Sequence, residues 1–153
     1  MASTIKQQFG TNNQAITCTF TSLANAAARQ STAIDNTTNL HFNAKIFIKA
    51  KTNASGTSAT GVINIYIAET ADGGTTYSEN AGASDAAITL TAPPNVRLVG
   101  VLNAVANSTT YYGCFTAYDL PDHWVLIIEN KSGATLDASI GSAWYQGVLA
   151  QGT

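Results

Sequence analysis

Two aspartates and two histidines are the residues of this 153-residue chain that come closest to a chemical site. Asp119 and Asp122 flank a Leu-Pro dipeptide, and two carboxylates in one loop are typical of glycoside hydrolysis or of Ca²⁺ binding. The favoured interpretation is a turn in which Asp side chains accept hydrogen bonds from backbone N–H groups. His41 and His123 lie on different predicted strands without a third ligand, so we expect them to be solvated or hydrogen-bonded.

Two further motifs are incomplete. Gly141-Ser142 lacks the Gly-x-Ser-x-Gly elbow of a serine hydrolase, and Asp72-Gly73-Gly74 lacks the additional acidic ligands of a calcium loop. We therefore predict a protein that is not an enzyme, with no catalytic residue, metal ligand or cofactor. The weakest alternative is a polysaccharide-degrading enzyme that uses Asp119 and Asp122.

Lysines and an aromatic residue alternate along the stretch Lys45, Phe47, Lys49 and Lys51. Such a set can bind an anionic surface, but on a hairpin it more often protects an edge strand against unwanted pairing. Tyrosines elsewhere are candidates for contact with a glycan through their aromatic rings, and we single out Tyr111, Tyr112 and Tyr145.

The composition limits the classes of partner. Only 10% of residues are charged, against about 25% in ordinary soluble domains, and a net charge of -2 argues for neither nucleic acid nor an acidic membrane. No stretch approaches the ~20 apolar residues of a membrane span, and the N-terminus lacks the pattern of a signal peptide. We expect synthesis in a cytoplasm and no membrane or nucleic-acid partner.

The two cysteines, Cys18 and Cys114, show no metal-ligand spacing. Both fall in alternating, strand-like runs, so we expect small buried core residues. A disulfide between two neighbouring strands is the alternative, although a reducing compartment argues against it.

The elements that must position these residues are strands. Residues 40–52 and 62–68 alternate between apolar and polar side chains, and the small, polar segment 53–61 joins them, so we predict a long central hairpin. The alternation places His41 and the lysines on the wet face. It places Ile63, Ile65 and Ile67 on the dry face of the second strand, and on the dry face of the first strand it places Phe42, Ala44, Ile46, Ile48 and Ala50.

Further strands are expected at 14–21, 31–34, 87–91, 96–102, 111–118, 124–129, 136–140 and 142–149, with 96–102 as a core strand. For the Ala-rich segment 22–30 a helical turn and a loop are equally favoured. Roughly eight to ten short strands predict an all-β antiparallel sandwich of jelly-roll type. We assign residues 14–153 to this single domain. Residues 1–13 form an N-terminal arm with Ile5 and Phe9 as apolar anchors.

Five stretches of turn and strand sequence are distinctive as whole segments. They are SLANAAARQSTAIDNTTNL at 22–40, SATGVINIY at 58–66, DGGTTY at 72–77, DAAITL at 85–90 and WYQGV at 144–148. Together they span most of the chain, and they resemble a family of small virion structural proteins of tailed bacteriophages. They carry no catalytic signature.

The resemblance implies a non-enzymatic virion protein, such as a capsid decoration or cement protein that bridges neighbouring subunits on the exterior of the head. Its expected partners are the major capsid protein and other copies of the chain, with a trimer favoured. The alternative is a tail or fibre module that binds host surface glycan. We expect residues 1–13 to cross a subunit boundary, and the candidate assembly contacts are Ile5, Phe9, Lys45, Phe47, Tyr111, Tyr112 and Tyr145.

Overall fold

A computed structural model describes residues 5–152, which form eleven strands in two antiparallel sheets. The strands are β1 (Ile5–Phe9), β2 (Gln14–Ile16), β3 (Ala28–Gln30), β4 (Ile34–Asp35), β5 (Asn43–Thr52), β6 (Val62–Glu69), β7 (Ala86–Ile88), β8 (Arg97–Asn103), β9 (Thr110–Tyr118), β10 (His123–Lys131) and β11 (Leu136–Gly152). Within these residues the helical structure is a short 3-10 turn at Ser78–Asn80. No helix among them has the length and apolar character of a membrane crossing. The all-β prediction is confirmed.

The order of the strands identifies the type of sandwich. Sheet A runs β1-β11-β5-β9, with β2 also beside β11, and sheet B runs β7-β3-β10-β6-β8, with β4 also beside β10. Strands from the two halves of the chain therefore pair in nested order: β1 and β2 with β11, β3 with β10, β5 with β9, and β6 with β8. A chain doubled over on itself in this way and rolled into two sheets is a jelly roll, as predicted.

The predicted central hairpin is wrong. Strand β5 lies between β11 and β9 in sheet A, whereas β6 lies between β10 and β8 in sheet B. Segment 53–61 crosses from one sheet to the other, and its Ser58 N–H donates to Ser132 O at 2.8 Å. The alternation shows which face of each strand is dry. It does not show whether the two strands pair within one sheet or face each other from opposite sheets of a sandwich.

The core lies between the two sheets and is built from alternate residues of the long strands. Its fully buried members include Ala44, Ile46, Ile48 and Ala50 of β5, Ile63, Ile65 and Ile67 of β6, and Trp124, Leu126 and Ile128 of β10. The dry faces predicted for these two central strands are confirmed from residue 44 onward. Phe42 was placed on the same face but is exposed, because β5 begins only at Asn43.

A second apolar cluster covers the outer face of sheet B. Segment 70–96, between β6 and β8, folds across this face and packs Tyr77, Ala81, Ile88, Leu90 and Val96 against Tyr66, Ala68, Val125 and Ile127. Strand β10 is therefore buried on both faces, which explains its continuous apolar run. Sheet A has no such cover among residues 5–152.

Two further expectations need correction. Strand β8 is an edge strand with Leu98 and Val101 exposed, so its interpretation as a core strand is wrong. Residues 136–152 form one strand of 17 residues instead of two, because an irregularity between Leu136 and Gly141 keeps the chain in the sheet. Of the two alternatives for the Ala-rich segment, the loop is correct: the segment forms turns that lead into β3.

The cysteines are both free. Cys18 is half-buried against the core, and burial, with a smaller contribution from Asp85, raises the pKa of its thiol to about 12. Cys114 is exposed, so its predicted burial is wrong. It lies opposite Phe47 on the outward side of β9.

The dry layer generates a first prediction. We expect Ile46→Asp or Ile65→Asp to lower the free energy of unfolding by more than about 4 kcal/mol, because each places an unpaired charge between the sheets. Val101→Asp is the matched control, since it makes a comparable change on the exposed side of β8. Urea denaturation measures all three. Ile variants as stable as the control would show that the core is assigned to the wrong faces.

Candidate functional site

The outward face of sheet A is the surface on which the fold collects aromatic and basic side chains. Strands β11, β5 and β9 lie side by side, and their register aligns three outward rows: Trp144, Phe47 and Cys114; Gln146, Lys45 and Thr116; Ser142, Lys49 and Tyr112. These residues point outward because the residues between them fill the core. We call the surface formed by Lys45, Phe47, Lys49, Tyr112, Trp144 and Gln146 the basic aromatic face.

The rings of this face support one another. Phe47 and Trp144 are stacked, with ring centroids 4.6 Å apart and an interplanar angle of 19°. Tyr112 lies on the other side of Phe47 at 6.4 Å, is 61% exposed, and has Lys49 Nζ at 5.8 Å from its ring centroid. Such aromatic and cation–π contacts each contribute about 0.5–1.5 kcal/mol. The rings are therefore held in place before any ligand arrives.

The lysines of this face keep their charge free. Of the seven Lys and Arg residues, four have a carboxylate within ion-pair distance among the described residues, in the pairs Arg29–Asp85, Lys51–Asp137, Arg97–Glu69 and Lys131–Glu129. Lys45 instead donates to Thr116 Oγ1 at 2.7 Å. The face is locally positive on a chain with a net charge of -2. Protection of an edge is not its role, because β5 is an inner strand of sheet A.

A cleft of about 240 Å³ opens beside the stacked rings. It is lined by Asn12, Asn13, Lys45, Phe47, Cys114, Trp144, Tyr145 and Gln146. The amide of Gln146 donates to Gly10 O at 3.1 Å and to Asn12 Oδ1, which ties this wall to the segment between β1 and β2. Aromatic faces, amides and an ammonium group, with no carboxylate in the lining, are suited to bind a ligand that has apolar, hydroxyl and anionic parts.

The structure brings together only some of the candidate residues. Lys45, Phe47 and Tyr112 share the basic aromatic face. Tyr145 is buried, with its ring perpendicular to that of Trp124, so its prediction as an exposed aromatic is wrong. Tyr111 is half-buried and exchanges hydrogen bonds with the backbone of Ala106.

Trp144 is the residue that sequence reasoning missed. A pair of adjacent aromatics in a strand must place one ring inward and the other outward. Ile46 of the dry layer pairs with Tyr145, so Tyr145 faces inward. The sequence does not reveal this pairing. The irregularity between Leu136 and Gly141 shifts which residues of β11 face inward, so the orientation of Trp144 could not be extrapolated from Leu136.

The remaining two candidates lie at the sheet edge. Ile5 and Phe9 both belong to β1, where they are 75% and 53% exposed. This strand pairs with the end of β11, from Phe9 opposite Val148 to Ile5 opposite Gly152.

Asp119 and Asp122 lie in the turn before β10, and His123 is the first residue of β10, where it pairs with Asp35 of β4. Asp122 Oδ1 accepts a hydrogen bond from the His123 backbone N–H at 2.9 Å, as the turn interpretation predicts. The ring of His123 lies 3.7 Å from Asp122 and 3.8 Å from Asp35. Asp72 accepts hydrogen bonds within its own turn, first from Thr70, and these hold its pKa down at about 2. No group of three or more His, Cys, Asp or Glu within residues 5–152 has the arrangement of a metal site.

The alternation placed His41 on the wet face of its strand, and this is wrong, because the residue is only 4% exposed. Its ring lies over two glycines, and a Cβ on either Gly10 or Gly147 would overlap it. The side chain of buried Asn36 accepts from the His41 N–H at 2.9 Å and donates to the His41 O at 2.7 Å. Burial lowers the pKa of His41 below its usual value.

This burial predicts a specific pH dependence. Unfolded His41 takes up a proton near pH 6.5, whereas the folded imidazole resists it, so acidification favours the unfolded chain. We expect the free energy of unfolding to fall as pH drops below about 6.5, until the lowered pKa of the folded state is reached. Urea denaturation at a series of pH values between 7.5 and 5 measures this fall in the free energy of unfolding.

His41→Gln should flatten this part of the profile, whereas the matched variant His123→Gln should keep it. An unchanged slope in His41→Gln would assign the effect to other groups.

Comparison with known proteins identified no relative of this chain. Neither the protein-family models nor the curated proteins contain a match to this chain.

Proposed function

We propose that the chain is a non-enzymatic structural protein of a bacteriophage virion, acting as a capsid decoration protein that bridges neighbouring capsid subunits on the head exterior. The proposal draws on the resemblance of its turn and strand segments and on a jelly roll, a fold that capsid proteins share with lectins and cupins. The observation that carries it is an overhanging β-ribbon, formed by residues 5–8 and 149–152, which no other part of residues 5–152 covers.

The ribbon extends past the rest of sheet A. Pairing of β11 with β5 ends at Val148 opposite Asn43, but pairing of β11 with β1 continues to Gly152 opposite Ile5. In this overhang the two strands pair only with each other among the described residues. Every residue of β1 is exposed. Two-stranded ribbons are marginally stable in water by themselves, so a neighbour that packs on this one would stabilise it.

The open edge of β1 offers a specific way to attach. Gly10 N–H donates inward to Gly147 O at 2.9 Å, and bonded and free backbone groups alternate along an edge strand. Ile5, Gln7 and Phe9 therefore direct their N–H and C=O groups away from β11. A strand of a capsid subunit, or of another copy of the chain, can pair with these groups. Pairing of this kind would join subunits across a seam.

Proline at position 7 tests the edge directly. Gln7→Pro removes an N–H that faces solvent in the isolated protein, a position where strands tolerate proline, so we expect its melting temperature to change little. Its affinity for heads that lack the protein should fall at least about tenfold, because proline removes a bond and obstructs the incoming strand. Gln7→Thr keeps the N–H and is the matched control. Full binding by Gln7→Pro would contradict attachment through this edge.

Copy number separates the proposed role from the second candidate, a tail or fibre module that binds glycan, which the basic aromatic face favours. A decoration protein should be present in proportion to the capsid subunits, whereas a tail module is present in only a few copies. Quantitative mass spectrometry of virions that carry the protein measures this ratio. A ratio of a few copies per particle would overturn the capsid assignment.

A further inference from the structure

The two outer faces of the sandwich differ in how far the chain itself covers them. Segment 70–96 covers sheet B with apolar side chains, whereas on sheet A Tyr112 is 61% exposed and Phe47 and Trp144 are half-buried with one side accessible. A contiguous patch of accessible aromatic surface on a protein often marks a contact with a ligand or partner. Phe47 and Trp144 are also stacked on each other, so this surface is ordered in advance of binding. We propose that the basic aromatic face is a binding site for an acidic saccharide.

The size and lining of the cleft favour a sugar ring. At about 240 Å³ it is smaller than the usual 300–1,000 Å³ of sites for drug-sized molecules, so it suits a single ring. Trp144 and Phe47 supply aromatic surface against which the C–H face of a pyranose packs. Asn12 and Asn13 supply amide groups for hydroxyl groups, and Gln146, whose amide nitrogen donates to Gly10 and Asn12, supplies its Oε1 as an acceptor. A protein partner would instead need about 800 Å² of contact on each side.

The charges of the face select an acid. Lys45 lines the cleft and uses one of its three donors on Thr116. Lys49 lies over Tyr112, in the row on the other side of Phe47 from Lys45. Asp and Glu are absent from the lining of the cleft, so a sugar carboxylate meets attraction without a competing anion. A charge-assisted hydrogen bond from Lys45 to that carboxylate is the contact that separates an acidic sugar from a neutral one.

A matched pair of sugars tests the site on the full-length protein. Glucuronate and glucose differ only in whether carbon 6 is a carboxylate or a CH₂OH group. In an NMR titration we expect glucuronate to shift the indole N–H resonance of Trp144 and to leave that of buried Trp124 in place. Glucuronate should bind about tenfold more tightly than glucose, the ratio expected for one charge-assisted hydrogen bond, and added salt should reduce the difference.

Three variants complete the test. Trp144→Ala should abolish binding of glucuronate, and Lys45→Met should lower its affinity to that of glucose. Lys51→Met should bind glucuronate normally, because Lys51 lies on the same strand but is already paired with Asp137. The melting temperature of each variant verifies its fold.

The proposal is overturned if glucuronate leaves the Trp144 resonance unshifted, or if Lys45→Met still prefers the acid. Binding of polyglutamate in place of glucuronate would also overturn it, and would assign the face to an acidic protein surface. Attachment to heads is a separate matter, since Gln7→Pro leaves this face intact.

Discussion

The structure depends on one apolar layer between the two sheets, which stays dry only if both sheets cover it. Ile46 and Ile48 of β5 and Ile63, Ile65 and Ile67 of β6 are fully excluded from solvent. Neither strand can bury its isoleucines by pairing with the other, because side-by-side strands in one sheet leave the same face bare. The chain therefore places them in opposite sheets. Because alternate residues of a strand face opposite sides of the sheet, the inward isoleucines of β5 require Lys45, Phe47 and Lys49 to face outward.

The difference between the two outer faces follows from the connections. The link between β6 and β8 is long enough to fold back over sheet B, and Glu79 fastens its far end by accepting hydrogen bonds from the backbone N–H groups of Thr91 and Asn95. On sheet A, the segment between β1 and β2 reaches only the cleft beside Phe47 and Trp144. The outer face of sheet B is thus covered by the chain itself, whereas much of the outer face of sheet A is uncovered among the described residues. The division places every surface feature with binding potential described above on sheet A.

Sequence reasoning succeeded where alternation alone decides the outcome. It located most long strands, the dry faces of β5 and β6, and the jelly-roll class, because each follows from period two and from turn composition. It failed where the answer depends on a partner strand. The irregularity before Gly141 makes Tyr145 the inward ring and Trp144 the outward one. His41 is buried by Gly10 and Gly147, residues far from it in the chain, and no local pattern predicts such a niche.

The ribbon and the basic aromatic face are connected through a single strand. Trp144 lies in β11 four residues before Val148, the last residue before the overhang, and at about 3.3 Å per residue the two positions are about 13 Å apart. The segment between β1 and β2 bridges them, since Gln146 holds Gly10 and Asn12 and Gly10 is bonded to Gly147. A strand added to the edge of β1 would therefore restrain the same segment that supplies Asn12 and Asn13 to the cleft. The two proposed contacts therefore involve neighbouring parts of one segment, although each is tested by its own variant.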